Sequence, residues 1–285
     1  MIKKNKNSSI LLKYGFLLII LVFIILYYVY KYRVSIRICS WNMEFFGVNM
    51  VKHNTELYYR NVIFYMRQVD ADILCLQEIS SIDNIKLLEN MLGNYRLIVD
   101  TEEIKKKIMF NVFLVKKHID IIEFKTHTSK IIALTVFDPA IRQPITIYNC
   151  HLKSDHSGIN NITRERELRF LITKITTSNV IITGDFNCVS KSNELKILTK
   201  KSYINLFDSY TNSIPYYSHW YDKNLSSVID HGELSQLDHF FVSPSLINKV
   251  KNRHVLKDVC TNAMNIIDNS RYYISDHCPI IMTLH

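Results

Sequence analysis

A chain of 285 residues, 48% of them hydrophobic, holds material for one large domain or two small ones. Six cysteines with no Cys-x-x-Cys argue against a disulfide-built scaffold and a zinc cage, and the scarcity of Gly and Pro (6 and 5), without repeats, argues against a fibrous or low-complexity chain. The formal charge of +9 invites a nucleic-acid partner, but seven basic residues and no acid lie within residues 1–37, which leaves 28 basic against 26 acidic residues, a net of +2, for 38–285.

The first element is an uncharged run, Tyr14–Tyr30, of 17 residues. That is the short end of what spans a bilayer, about 17–25 residues, and its C-terminal tyrosines suit a membrane–water interface. A signal peptide is the competing reading, but no small-residue cleavage site follows before Ser35. A retained single-pass anchor is the favoured expectation. Four lysines precede the run and three basic residues follow it, so the remainder is expected on the non-cytoplasmic side. The chain divides on this reading into a basic anchor segment, 1–33, and one domain, 34–285.

Within that domain, Ser35–Trp41 reads as a strand and 56–69 as a helix with Tyr58, Val62, Tyr65, Met66 and Val69 on one face. Ala71–Glu78 is a buried strand, and the helix of residues 81–92 is stopped by Gly93. Four strand-like runs follow: Tyr95–Asp100, Ile108–Val115, Lys130–Asp138 and Ile145–His151. Residues 163–177 form a helix with Leu168, Leu171, Ile172 and Ile175 inward, and Arg164, Arg166, Arg169 and Lys174 read as its solvated face. Asn179–Asp185, Leu237–Ser243 and Cys278–Leu284 are further strands, and 208–237 is a long aromatic and polar loop. Cys39, Cys75, Cys150 and Cys188 lie in or beside the apolar runs and read as core residues. The pattern is an α/β domain of mostly antiparallel strands covered by helices.

The strands stop or start on polar residues. Asn42 and Glu44 end the first and Gln77 and Glu78 the second; His151 closes another, and Asp185 and Asn187 follow the next. Asp238 and His239 open one strand, and Asp276 and His277 the last. Each alone is ordinary turn chemistry. Together they supply hard oxygen ligands such as Glu78 and Asp276 for Mg²⁺, imidazoles beside carboxylates for proton transfer, and amides for a water or a phosphate oxygen. That set fits metal-assisted hydrolysis of a phosphate ester.

The ordered series SWNME, LQE, NCHLKS, GDFN, LDHFFVS and SDHCPI resembles the endonuclease/exonuclease/phosphatase superfamily, over about residues 36–285. The resemblance implies a four-layered α/β sandwich of two packed sheets flanked by helices, with Mg²⁺, or Mn²⁺ in its place, as cofactor. It implies Asn42, Glu78 and Asp276 near the metal, Glu78 being the main ligand. It further implies His151, Asp185, Asn187 and His277 at the phosphate and the attacking water, with Asp238 orienting His151. His239 is read as structural, and Glu44 as a solvated loop acid. The substrate stays open. A nuclease is favoured, with Tyr210, Tyr216, Tyr217, Trp220 and Tyr221 as candidate base-stacking residues. A sphingomyelinase-like phospholipid phosphodiesterase is the alternative, and an inactive membrane-tethered binding module is the reading from another class. No protein partner is legible.

Overall fold

The computed structural model describes residues 6–33, 35–47, 55–105, 107–154, 158–208, 217–221, 223, 231–264 and 274–284. The chain starts with helix α1 (Lys6–Arg33) and continues through β1 (Ile36–Phe46), α2 (Thr55–Val69), β2 (Ile73–Ile79), α3 (Ile82–Leu92), β3 (Tyr95–Ile98), the single turn α4 (Thr101–Ile104) and β4 (Phe110–Lys116). Strands β5 (Ile121–Thr128), β6 (Ile131–Asp138) and β7 (Gln143–His151) then form a meander. Helix α5 (Gly158–Lys174), β8 (Val180–Asp185), α6 (Lys196–Thr199) and β9 (Ile204–Asn205) follow. The last elements are β10 (His219–Trp220), β11 (Leu234–Ser235), β12 (Asp238–Val242), β13 (Val250–Val255), α7 (Lys257–Met264) and β14 (Ile280–Leu284).

Two six-stranded sheets result, in the orders β13-β14-β1-β2-β4-β3 and β5-β6-β7-β8-β12-β9. Alternation along each strand sends its two faces to different cores. Ile36, Ile38, Ile73, Cys75, Phe113, Ile280 and Met282 of the first sheet meet Leu134, Ile147, Ile181, Phe240 and Val242 of the second between the sheets. Cys39, Trp41, Leu74, Leu76, Val112 and Leu114 face outward onto α2 and α3. Tyr148, Cys150, Ile182 and Phe241 face outward onto α5 and α6. The expected four layers are therefore present. Both sheets are mixed, each with one parallel pair at its centre, β1 beside β2 and β7 beside β8.

That arrangement aims the chemistry. The parallel pairs end at Asn42, Glu78, His151 and Asp185, while β12 runs antiparallel to β8 and β14 antiparallel to β1. Strands that run the other way begin where their neighbours end, so Asp238, Asp276 and His277 enter at the same edge. A buried amide network joins the two sheets just beneath it. Gln77 Nε2 donates to Asn149 Oδ1 at 2.7 Å, and Asn149 Nδ2 donates to the carbonyls of Leu76 and Val112. Gly184 faces Cys150 across the parallel pair at φ +137°, and an added Cβ would meet the Cys150 carbonyl oxygen at 1.8 Å. Only glycine fits there.

The four strand cysteines are free and buried, as their apolar settings imply. The other two, Cys260 and Cys278, form a disulfide that ties α7 to the segment before β14. The membrane expectation is not supported. No helix of the described residues is long and apolar enough to cross a membrane. Helix α1 runs 28 residues, Lys6–Arg33. Apolar side chains from Phe16 to Leu26 in that stretch are exposed.

Candidate active site

Asn42 sits at the centre of the cleft, buried, and its Nδ2 donates to Glu78 Oε1 at 3.0 Å and to Asp185 Oδ2 at 2.9 Å. One amide thus links a carboxylate of each sheet. Its Oδ1 accepts from the backbone of Glu44, where the chain turns through positive φ at Glu44 and Phe45. Phe45 N in turn donates to Glu78 Oε2. Glu78 itself holds a left-handed backbone, φ 56°, at an irregularity in the β1–β2 pairing. Such conformations cost free energy and persist where surrounding contacts impose them. Burial raises the Glu78 pKa, against the lowering effects of the Asn42 bond and of His277.

Asp185 is buried at the end of β8. Asn187 holds it from the following turn, N to Oδ1 at 2.8 Å and Nδ2 to Oδ2 at 3.1 Å, and Asn187 also needs a left-handed φ of 51°. Burial pushes the Asp185 pKa up to about 7. His151 Nε2 lies 3.4 Å from Glu78 Oε1 and 3.8 Å from Asp185 Oδ2, with no hydrogen-bond partner. Burial, then the charges of Lys130, His277 and Lys153, bring its pKa down to about 3, so the ring is neutral.

His277 behaves oppositely. Its Nδ1 lies 2.8 Å from Asp238 Oδ2, and its Nε2 looks into the cleft, 3.8 Å from both Asp185 Oδ2 and Asp276 Oδ1. Burial pulls its pKa down, but Asp238, Asp185 and Asp276 outweigh that and hold it well above the usual histidine range. This corrects the role expected of Asp238, which orients His277 and not His151. The pairing is long-range. Asp238 stands opposite Asp185 on β12, and His277 arrives from the other sheet. Ser275 fixes the turn, with Oγ donating to the Asn42 carbonyl at 2.7 Å and accepting from His277 N, and Trp41 Nε1 donates to the His277 carbonyl.

Asp276 lies 3.6 Å from His219 Nε2 and accepts at its backbone oxygen from Trp220 N. For its carboxylate, burial raises the pKa but His277 and His219 outweigh it and keep it below the usual range. All eight expected residues therefore meet in one cleft: Asn42, Glu78, His151, Asp185, Asn187, Asp238, Asp276 and His277. Glu44 does more than the solvated acid expected, since its Oε2 accepts from Asp276 N at 3.0 Å. His239 is structural, as expected, buried between Asn205 and the Cys188 carbonyl.

Two further expectations fail. Arg164 is buried, not solvated, and pairs with Glu194 at 3.1 Å while its Nη1 donates to the Lys153 carbonyl. Trp220 is buried with Cys260 and Cys278, so its indole is not presented for stacking on a base; Tyr221 is exposed, and Tyr210 and Tyr216 lie outside the described residues. The residue the sequence reading missed is His219, whose ring lies 4.7 Å from that of His277. The only local signal was an imidazole beside a tryptophan in a polar loop.

Which residues could hold a metal follows from donor chemistry. Among the described residues, three overlapping groups of donors lie within 4.8 Å: Glu78 with His151 and Asp185, Asp185 with Asp238 and His277, and His219 with Asp276 and His277. Asp276 Oδ1 is buried without a hydrogen-bond partner, and Glu78 is a hard oxygen donor open on one side to the cleft. These fit a divalent cation better than they fit an ion-free cluster of carboxylates.

Solved structures share this fold. The chain aligns with an endonuclease/exonuclease/phosphatase from Bacteroides vulgatus at TM-score 0.67 and 17% identity, covering 89% of this chain and 99% of the other. D. rerio TDP2, solved with a single-strand DNA product, aligns at 0.65 and 17%, covering 88% and 99%. The AP endonuclease LMAP from Leishmania major aligns at 0.62 and 15%, covering 88% of each. No curated protein sequence matches the chain. The model of the endonuclease/exonuclease/phosphatase family matches residues 39–277, from the first strand to the histidine of the last turn. The chain belongs to the endonuclease/exonuclease/phosphatase family, and it is a phosphoric ester hydrolase.

Proposed function

We propose that the protein is a Mg²⁺-dependent phosphodiesterase that cleaves nucleic acid. The observation that carries this reading is the meeting of Glu78, Asp185, Asp276, Asp238 and two imidazoles, drawn from both sheets, around one cleft. Glu78 and Asp276, with Asn42 beside them, would hold the cation. When bound, it offsets negative charge on the phosphoryl group. The chain's own groups do the rest. Asp238 keeps His277 protonated, so Nε2–H donates to a phosphate oxygen as charge develops there. Asp185, fixed through both oxygens by Asn42 and Asn187, accepts a proton from the attacking water. As the bond from phosphorus to the attacking oxygen forms, the bond to the leaving oxygen breaks and that oxygen takes its proton from solvent water, while His151 remains neutral and offers Nε2 as an acceptor beside Glu78 and Asp185. A nucleic-acid substrate is supported by the DNA product in the TDP2 structure and by the AP endonuclease likeness.

A substrate panel tests the reading. Purified protein with Mg²⁺ is given single-strand DNA, duplex DNA with and without an abasic site, RNA, and sphingomyelin vesicles. Cleavage of at least one nucleic acid without choline-phosphate release is the expected result. Choline-phosphate release with every nucleic acid intact would move the substrate to phospholipid and leave the chemistry in place.

A further inference from the structure

Among the described residues, His219 is the imidazole in the cleft that the reaction above does not use. Its setting is built. Strand β10 is stitched to the Asp276–Cys278 turn from both sides, Trp220 N donating to the Asp276 carbonyl at 3.1 Å and Cys278 N to the Ser218 carbonyl at 2.7 Å. Trp220 packs against the Cys260–Cys278 disulfide behind it. On the other edge, His219 pairs with Ser235 of β11. The ring is thus held on a rigid support, which precise ligation requires.

The atoms at its two nitrogens differ. Nδ1 lies 2.9 Å from Ser235 Oγ, a hydrogen bond. Nε2 lies 3.6 Å from Asp276 Oδ2, beyond the roughly 2.7–3.2 Å of an N–H···O bond. Two donors each about 2.1 Å from a shared ion lie about 3.0–3.4 Å apart, so this gap is close to a ligand edge and too long for a direct bond. With Nδ1–H donating to Ser235, the Nε2 lone pair faces a carboxylate, an arrangement that a cation between them makes favourable. Histidines that bind metal are oriented in this way, with the second ring nitrogen donating to a neighbour. Asp276 Oδ1 on the same group is buried and lacks a hydrogen-bond partner.

We propose that His219 Nε2 and the Asp276 carboxylate together bind a first-row transition-metal ion, so that this side of the cleft prefers Mn²⁺ or Zn²⁺ to Mg²⁺. Imidazole favours transition metals, whereas Mg²⁺ favours oxygen donors and water. Glu78 has the Asn42 and Phe45 amides on its carboxylate and His151 Nε2 at 3.4 Å from Oε1, so what sets the Asp276 side apart is His219 with its second nitrogen bonded to Ser235. The inference rests on the metal-assisted reading above and adds His219 to it as a nitrogen ligand on the Asp276 side of the cleft.

The test reads metal binding rather than turnover. Mn²⁺ is titrated into the purified full chain and followed by electron paramagnetic resonance, with Mg²⁺ as competitor, in the wild type, His219→Phe, His219→Asn, Ser235→Ala and Glu78→Gln. Losing a residue that merely supports a ligand costs about 10–100-fold in metal affinity, and losing the ligand costs no less. His219→Phe and His219→Asn should therefore weaken Mn²⁺ by at least about 10-fold and remove an imidazole-nitrogen coupling from the bound ion, with Mg²⁺ affinity unchanged. Ser235→Ala should weaken Mn²⁺ in the same direction. Circular dichroism identifies any variant that fails to fold, and the remaining His219 variant then carries the test. Unchanged Mn²⁺ affinity and nitrogen coupling in a folded His219 variant overturns the inference. Glu78→Gln separates the two readings. Undiminished Mg²⁺ binding in that variant, with Mn²⁺ still lost on replacing His219, would sink the proposed role of Glu78 and leave this site standing.

Discussion

His277 Nδ1 and Asp238 Oδ2 are 2.8 Å apart and buried, so the charge on one ring depends on one carboxylate. Asp238→Asn keeps the volume but removes the anion that holds His277 protonated. The expected result is a fall in kcat of about 10²–10⁴-fold, the usual contribution of a positioned acid or base, with KM and melting temperature near those of the wild type. Steady-state kinetics and a thermal melt check it. His239, next in the chain, gives a pH prediction of a different kind. Burial lowers its pKa below the ordinary 6.5, partly offset by its bond to the Cys188 carbonyl and by Asp238 and Asp208. A base whose folded pKa is depressed contributes stability above its unfolded pKa and loses it as pH falls. The wild type should therefore lose melting temperature on acidification below about pH 6.5, and His239→Gln should flatten that part of the profile. Equal slopes in both proteins would contradict the assignment. At this scale the sequence named the eight cleft residues, because each is a polar side chain at the boundary of an apolar run. It misassigned Asp238, since chain order does not say which strand ends become neighbours across two sheets. It missed His219 because a two-residue strand has no periodicity to read.

Among the elements, the buried strands were legible and the edges were not. Strands β2, β4, β6, β7, β8, β12 and β14 are almost wholly buried and read as continuous apolar runs. Strands β5 and β13 close one edge of each sheet, and most of their side chains are wholly or partly exposed. They carry charges, Glu123 and Lys125 on β5 and Lys251 and Arg253 on β13, as edge strands often do, and so resemble loops in sequence. Helix α5 was found, but its polar residues misled. Arg164 turns inward to Glu194 and to the carbonyl of Lys153, while Glu167 takes the Lys153 amide, so the helix clamps the segment that follows His151. Arg164→Ala strands Glu194 as a buried unpaired carboxylate and should cost about 3–5 kcal/mol in urea unfolding. Replacing both partners, Arg164→Met with Glu194→Leu, should recover most of that loss. A single variant as stable as the wild type would show that the pair is not buried in solution.

At the scale of the molecule, two mixed sheets bring six strand boundaries to one rim, and the sandwich exists in a form that leaves this rim open. The α/β pattern followed from apolar runs and helical stripes, and the four layers from the family resemblance. The expected membrane span did not gain support from the described residues. What the fold delivers is a cleft with hard donors at Glu78 and Asp276, an imidazolium held by Asp238, and a buried carboxylate at Asp185. The claim that unites them is that a divalent ion bound through Glu78 is required for phosphodiester cleavage. The most direct measurement is the single-turnover cleavage rate of a nucleic-acid substrate by the wild type and Glu78→Gln, each across a Mg²⁺ titration and again with excess EDTA. The account predicts saturable Mg²⁺ activation of the wild type, complete loss with EDTA, and a folded Glu78→Gln protein that stays nearly inactive at modest Mg²⁺. Cleavage that survives EDTA, or a Glu78→Gln variant with the wild-type rate and the wild-type Mg²⁺ dependence, would contradict it.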